Sequence, residues 1–292
     1  MISASALGAT GPERNYTGYA PTFAAMSGLS YLSGDPDEPP LTMGGSIDLR
    51  AGTAAAMAMV AGLYYRERTG RGQFIDASSS EAIGMHIGEE FLHVDFFGSD
   101  GERLGNGHRA YAPHDVFRTA TMRDPDDGEG DRPGAKRGWL AIACRNDAEW
   151  SALCDVAGLD HLRDDPRFRT GLKRWKQRET LKPMIEAWTS EQSAIGAARS
   201  LRAAGVPAAP SLWGSDIHHS EQFQGRGGGV DVKPPESDQR TVLPPPWRLS
   251  ETPAEIVSPA PRLGEDTRYV LSRMLGYDAE RIDALAQSGA LE

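Results

Sequence analysis

Cysteine is almost missing from this sequence: Cys144 and Cys154 are the only two in 292 residues. Two thiols cannot build a disulfide framework or a four-cysteine zinc site, so both read as core or incidental thiols of a cytoplasmic protein. Long apolar runs are also missing. The longest low-charge stretch, Ala51 to Tyr65, is mostly Ala and Gly and is closed by Arg66-Glu67-Arg68, which excludes a membrane span. Met1 to Gly8 holds no basic residue and so is no secretion signal. Positive charge is in deficit, with 31 Lys and Arg against 41 Asp and Glu and a net charge of −10. That balance argues against nucleic acid or an anionic membrane as partner, while leaving room for a local site for an anionic small molecule. There is no HExxH and no Cys/His spacing for a metal, and His114, His218 and His219 read as loop histidines. No GxSxG surrounds Ser78-Ser79-Ser80, and neither a Walker loop nor a GxGxxG opening a helix is present.

What is present suffices for a core. Hydrophobic residues make up 39%, and the 33 glycines and 20 prolines fall short of a low-complexity chain. The length fits about two domains. Ile2 to Leu7 reads as a buried strand running into a turn at Gly8 and Gly11-Pro12. Thr22 to Leu32 reads as a helix, and Asp35 to Pro40 as a rigid polar loop. Ala51 to Arg68 is the clearest helix, with basic residues in its last turn and Gly70 as its stop. A strand over Phe74 to Ser78 and a helix over Glu81 to Phe97 follow. Leu104 to Pro113 is a loop, and Asp115 to Ala120 pairs with Trp139 to Cys144 as strands. Between those strands Met122 to Gly138, rich in Asp, Gly, Pro and Arg, reads as a mobile hairpin extension. Helices are expected over Ala148 to Gly158, Leu181 to Trp188, Glu191 to Ala204 and Glu265 to Leu275, and Trp139, Trp150 and Trp188 read as core. Strands alternating with helices and then a mixed region give an α/β or α+β class, without internal repeats.

Two segments have a chemical reading beside a bland one. Asp48 stands immediately before the helix from Ala51. It serves either as an N-terminal acid of that helix or as a nucleophile, because a helix N-terminus stabilises negative charge and an ionised carboxylate can attack. Gly44-Gly45 before it and Gly52 after it leave room for a substrate. Gly105-Asn106-Gly107-His108 is either an ordinary loop or a cradle of backbone N–H groups.

The order of several motifs resembles the class III CoA-transferases, the family of formyl-CoA and carnitine CoA-transferases. The matching pieces begin with Gly11-Pro12, Gly18-Tyr19, Ala25 to Leu29, Gly34 to Pro40, Ile47-Asp48-Leu49 and Arg66 to Gln73. They continue with Ala112-Pro113-His114, Asp165 to Phe168, Ala204 to Pro210 and Pro261 to Glu265. The resemblance implies that Asp48 attacks the thioester of a donor acyl-CoA, and that an aspartyl anhydride and then an aspartyl-CoA thioester carry CoA to an acceptor acid. It implies that the loop of Gly105, Asn106, Gly107 and His108 closes over this nucleophile, with Tyr19 beside it. Coenzyme A is then a substrate, and no further cofactor and no metal is needed.

The implied fold is α/β: an incomplete Rossmann-like large domain plus a smaller α+β domain, of the interlocked-dimer type. Residues 1–103 would be the large-domain portion, 104–210 the small domain with the insertion 122–138, and 211–292 a Pro-rich linker and a segment returning to the large domain. Two departures stand out. The chain starts where relatives are already deep in the large domain, so a partner chain, either a second copy or a related subunit, is expected to complete the CoA site. The residue after Tyr19, commonly acidic in relatives, is Ala20. The alternatives are an α-methylacyl-CoA racemase, whose histidine would fall at Tyr19, and a non-catalytic subunit of a CoA-transferase complex.

Overall fold

A computed structural model describes residues 1–123, 138–232 and 240–291. The chain divides into two units, Met1–Ser211 and Leu212–Glu292. The expected extension over 122–138 falls almost wholly outside the described residues.

The first unit begins with strand β1 (Ile2–Ser5), helix α1 (Ala20–Met26) and helix α2 (Ser46–Thr69). Strand β2 (Ile75–Ser78), helix α3 (Ser79–Gly84) and helix α4 (Gly88–Phe97) follow. β1 and β2 are parallel, with Ile2 opposite Ile75 and Ser5 opposite Ser78. β1 is half-buried rather than buried, because β2 is its only strand partner among the described residues. Ala20 and Ala24 of α1, Ile47 of α2 and Ile83 of α3 form a small apolar cluster, flanked by Phe23, Leu29 and Met43. Burial of Ile47 pulls the start of α2 forward, five residues ahead of Ala51. Its end is as the sequence predicts: Gly70 is left-handed at φ 70° and donates to the carbonyl of Arg66 at 2.8 Å. The helix expected over Glu81 to Phe97 is broken. A 3₁₀ turn over Met85–Ile87 separates α3 from α4, with Gly84 and Gly88 at its two ends. α1 stops at Met26, where Ser27 turns its hydroxyl back onto the Ala24 carbonyl.

The second part of this unit carries a three-stranded antiparallel sheet, β3 (His114–Thr119), β4 (Gly138–Ala143) and β5 (Ala208–Pro210), in the order β3-β4-β5. The expected pairing is present, Phe117 opposite Leu140. β4 alternates: Leu140 and Ile142 face the core, while Trp139 faces outward and is covered by the Arg118 guanidinium 5.4 Å from its ring. Trp139 is therefore not a core residue, although Trp150 is.

Against the sheet lie helices α5 (Asp147–Ala157), α6 (Asp160–Asp164), α7 (Gly171–Lys176), α8 (Arg178–Thr189) and α9 (Ala194–Ala203). Their apolar residues recur at helical spacing: Trp150, Leu153 and Cys154 on α5, Leu181 and Ile185 on α8, and Ala194, Ala197, Ala198 and Leu201 on α9. Asn146 and Ser193 cap α5 and α9 by accepting from the amides of Glu149 and Gly196.

The second unit holds helices α10 (Gly214–His219) and α11 (Glu221–Gly225), and a hairpin of β6 (Val230–Val232) with β7 (Arg240–Val242). After these come a short helix, α12 (Thr267–Tyr269), a π-helical turn over Val270–Met274, and α13 (Ala279–Gln287). Asp278 caps α13, and Arg268 pairs with Asp283 at 2.7 Å. Ile282 is the buried residue of α13.

Candidate functional site

Asp48 is the third residue of α2, inside the first turn rather than before it. It lies among backbone N–H groups that have no intrahelical carbonyl to meet. Ile47 beside it is fully buried, whereas Asp48 is exposed. This alternation anchors the turn on one side and presents the carboxylate on the other. A methyl group at Gly44, Gly45 or Gly52 would meet nothing within 4 Å, so the approach to Asp48 is open.

Tyr19 precedes α1 and is 85% exposed, and its carbonyl accepts from the amides of Thr22 and Phe23. Ala20 and Ile47 belong to one cluster. Tyr19 and Asp48 are thus carried on the N-termini of neighbouring helices. Ala20 is 6% exposed, so a carboxylate there would have to lose its water inside an apolar cluster.

The glycine loop is held in detail. Gly105, at φ +57°, donates to the carbonyl of Gly34 at 3.1 Å. A side chain at Gly105 would collide with Asp35, and one at Gly107 would press on the Leu104 carbonyl at 2.9 Å, so both positions require glycine. Nδ1 of His114 bonds with the carbonyl of Asn106 at 2.8 Å. The Ala110 amide donates to Nδ1 of His108 at 3.0 Å, which leaves the proton of this ring on Nε2. The His108 and Tyr111 rings stack at 3.7 Å, and His114 lies 5.2 Å from His108. Burial first, and the neighbouring His114 second, lower the pKa of His108 below its ordinary value of 6.5.

This loop forms one wall of a cavity of about 820 Å³, to which Asn106, Gly107 and His108 contribute. Tyr31 and Asp35 also line it, and Lys182 of α8 adds a cation paired with Asp115 at 2.7 Å. Arg103 closes another side, donating to the carbonyls of Glu38 and Pro36 at 2.6 and 3.0 Å. Asp48 and Tyr19 do not line this cavity. The predicted site residues therefore fall into two groups within the first unit, Tyr19 with Asp48 and the 105–108 loop with its cavity.

Among the described residues, no group of three His, Cys, Asp or Glu is disposed to hold a metal ion, and no helix is long and apolar enough to cross a membrane. Burial pushes the thiols of Cys144 and Cys154 up to about 12, which leaves both protonated at neutral pH and poor nucleophiles. Sequence reasoning missed Arg174 and Trp175 of α7. Arg174 donates through Nε to the Ala112 carbonyl at 2.9 Å, and Trp175 through Nε1 to the His108 carbonyl at 2.9 Å.

Comparison with known proteins places the chain in a family. The model of CoA-transferase family III matches residues 1–124 and 132–267. The mouse succinyl-CoA:glutarate CoA-transferase is 29% identical over 99% of this chain and 63% of its own length. The alpha subunit of succinyl-CoA–L-malate CoA-transferase from Chloroflexus aurantiacus is 30% identical over 98% of this chain and 64% of its own. The chain thus spans less than two thirds of the length of these relatives. The crystal structure of a CAIB/BAIF family protein from Brucella suis, 26% identical, superposes with a TM-score of 0.79 over 94% of this chain and 67% of that one. The order of motifs, the α/β architecture with its small sheets and these matches agree, and the chain belongs to CoA-transferase family III.

Proposed function

We propose that this chain takes part in moving coenzyme A from an acyl-CoA to a carboxylic acid, with Asp48 as nucleophile. The observation that carries this reading is an exposed carboxylate in the first turn of α2, unobstructed by its neighbouring glycines, in a chain of this family.

The Asp48 carboxylate adds to the thioester carbonyl of the donor and the C–S bond breaks. This leaves an acyl-aspartyl anhydride and the CoA thiolate. The thiolate attacks the aspartyl carbonyl of that anhydride and expels the donor acid, giving an aspartyl-CoA thioester. The acceptor carboxylate then attacks this thioester and releases the thiolate again. The thiolate finally takes the acceptor's acyl group from the second anhydride and restores Asp48. Each tetrahedral oxyanion needs N–H donors in a dry site. A glycine loop supplies backbone that can approach closely, which is the role assigned to Gly105, Asn106, Gly107 and His108. Coenzyme A enters and leaves as substrate, and the scheme uses no other cofactor.

Since Asp48 does not line the loop cavity, we assign completion of the site to a second polypeptide, another copy or a related chain. One CoA-transferase relative is itself named as an alpha subunit. The acidic, cysteine-poor composition suits a cytoplasmic setting.

The test is trapping. The assembled protein is incubated with succinyl-CoA, treated with hydroxylamine or borohydride, and the peptides are mapped. Modification at Asp48, and loss of at least about three orders of magnitude of transfer in Asp48→Asn, are expected for removal of a covalent nucleophile. Modification of another carboxylate, or full activity in that variant, overturns the assignment.

A further inference from the structure

We propose that helix α7 is a clamp that sets the shape of the glycine loop, with Trp175 and Arg174 as positioning residues; this rests on the reading of the loop as part of the CoA-transfer site. Consecutive side chains of one short helix reach two separate points of the loop. The Trp175 indole N–H holds the carbonyl of His108, and the Arg174 Nε–H holds that of Ala112, each at 2.9 Å.

The clamp is itself fixed. Arg174 is fully buried, and its other donors meet the Phe168 carbonyl at 3.0 Å and Oδ1 of Asp147 at 2.7 Å. Its guanidinium lies 5.3 Å from the ring of Trp150. A planar group with acceptors from three segments has one orientation only, so the core around Phe168 and Trp150 dictates where the Ala112 carbonyl sits. Trp175 lies under the Arg178 guanidinium at 4.9 Å, and its N–H is its one polar group.

The loop needs such support. Its two glycines give it the largest conformational freedom to lose, and it has no strand to pair with. The bond of Ala110 with His108 lies within the loop, and that of Asn106 with His114 ties only the start of the loop to the head of β3. Besides the α7 clamp and the His114 bond, the Gly105 amide on Gly34, the Arg109–Glu90 ion pair and the Cys144 amide on the Pro113 carbonyl at 2.8 Å tie the loop to other elements. None of these holds the carbonyls of His108 or Ala112, which the two α7 side chains take.

Trp175→Phe tests this directly, because it removes the N–H and keeps a ring beneath Arg178. Three results are expected. The thermal unfolding midpoint falls by no more than the ~2–4 °C that one hydrogen bond is worth. Amide exchange over residues 105–112 quickens about tenfold, the loss of one hydrogen bond, while α5 and α9 exchange as before. In transfer assays the share of enzyme-bound thioester lost to water rises: water adds to the thioester carbonyl, the C–S bond breaks, and Asp48 carboxylate, CoA thiol and a proton result. A purely structural role for Trp175 would move stability and leave that partition alone. Arg174→Lys, which keeps a cation beside Asp147 and gives up the guanidinium Nε, is expected to show the same loop signature. Loop exchange and partition equal to the unsubstituted protein in Trp175→Phe overturn the clamp. If the unsubstituted protein transfers no CoA, the functional reading fails, and the exchange data still decide the clamp.

Discussion

His108 shows how much of the loop hangs on single atoms. Its Nδ1 accepts the Ala110 amide, its carbonyl accepts from Trp175, and its ring stacks on Tyr111 beside His114. Burial of the ring first, and the neighbouring His114 second, lower its pKa, and the Nδ1 acceptor role agrees with a neutral ring. The sign follows. The unfolded chain takes up this proton at about the ordinary histidine value and the folded loop only at lower pH, so protonation favours the opened form. The contribution of this ring to the closed loop is fully present above pH 6.5 and declines as pH falls below it. Proton NMR is expected to find His108 titrating below 6.5, with loop amide protection declining over the same range; titration at or above 6.5 would contradict the hydrogen-bond assignment. The sequence marked His108 and its glycines through their order. It could not mark Arg174 or Trp175, since an arginine in a run with Lys173 and Lys176 reads as a solvated charge, and only tertiary packing buries it.

Elements were legible where one periodicity dominates. Leu140 and Ile142 alternate with outward residues, and Ala197, Ala198 and Leu201 recur at helical spacing, so β4 and α9 stand close to where the sequence puts them. β5 escapes because three residues ending in Pro210 carry no period, and α6 and α7, at five and six residues, are too short to show one. α2 starts ahead of the Ala- and Met-rich run from Ala51 that marks it in the sequence, because burial of Ile47 extends the helix.

The Asp165-Pro166-Arg167-Phe168 segment is the opposite case, a motif with a purely structural account. The Asp165 carboxylate accepts from the amide and guanidinium of Arg167, a bond that lowers its pKa. The turn so formed drives Phe168, fully buried, into the main cluster beneath Arg174. Phe168→Ala is expected to cost about 3–5 kcal/mol by leaving a cavity there, read as a lower denaturant midpoint. A cost below about 1 kcal/mol would mean that the turn, not the ring, holds this region.

At the scale of the whole molecule, the contrast between the two apolar clusters is the main fact. The cluster around Leu140 and Trp150 is enclosed by a sheet and four helices, whereas that around Ile47 is small and leaves most of α2 and α4 uncovered. Met57 is 78% exposed on α2 and Phe96 78% on α4, in company with Val60, Leu63, Phe91 and Phe97. Surfaces of this kind mark sites of association. Light scattering of the purified chain is expected to report an oligomer, or a complex once a related chain is supplied; a stable monomer that transfers CoA unaided would contradict the two-polypeptide site. Through its family resemblance the sequence raised the expectation of a partner chain. It did not show which faces are bare, because an Ala- and Met-rich helix reads alike whether covered or not.

The same helix supplies a chemical footprint. Thioether sulfur is oxidised by peroxide in proportion to solvent access, and Met57 and Met59, at 78% and 45% exposure, bracket one stretch of α2. Met122, at 4%, is shielded within its own chain. Mass spectrometry of the two sulfoxides against this internal standard therefore records, without any label, when and by how much another polypeptide comes to lie along α2.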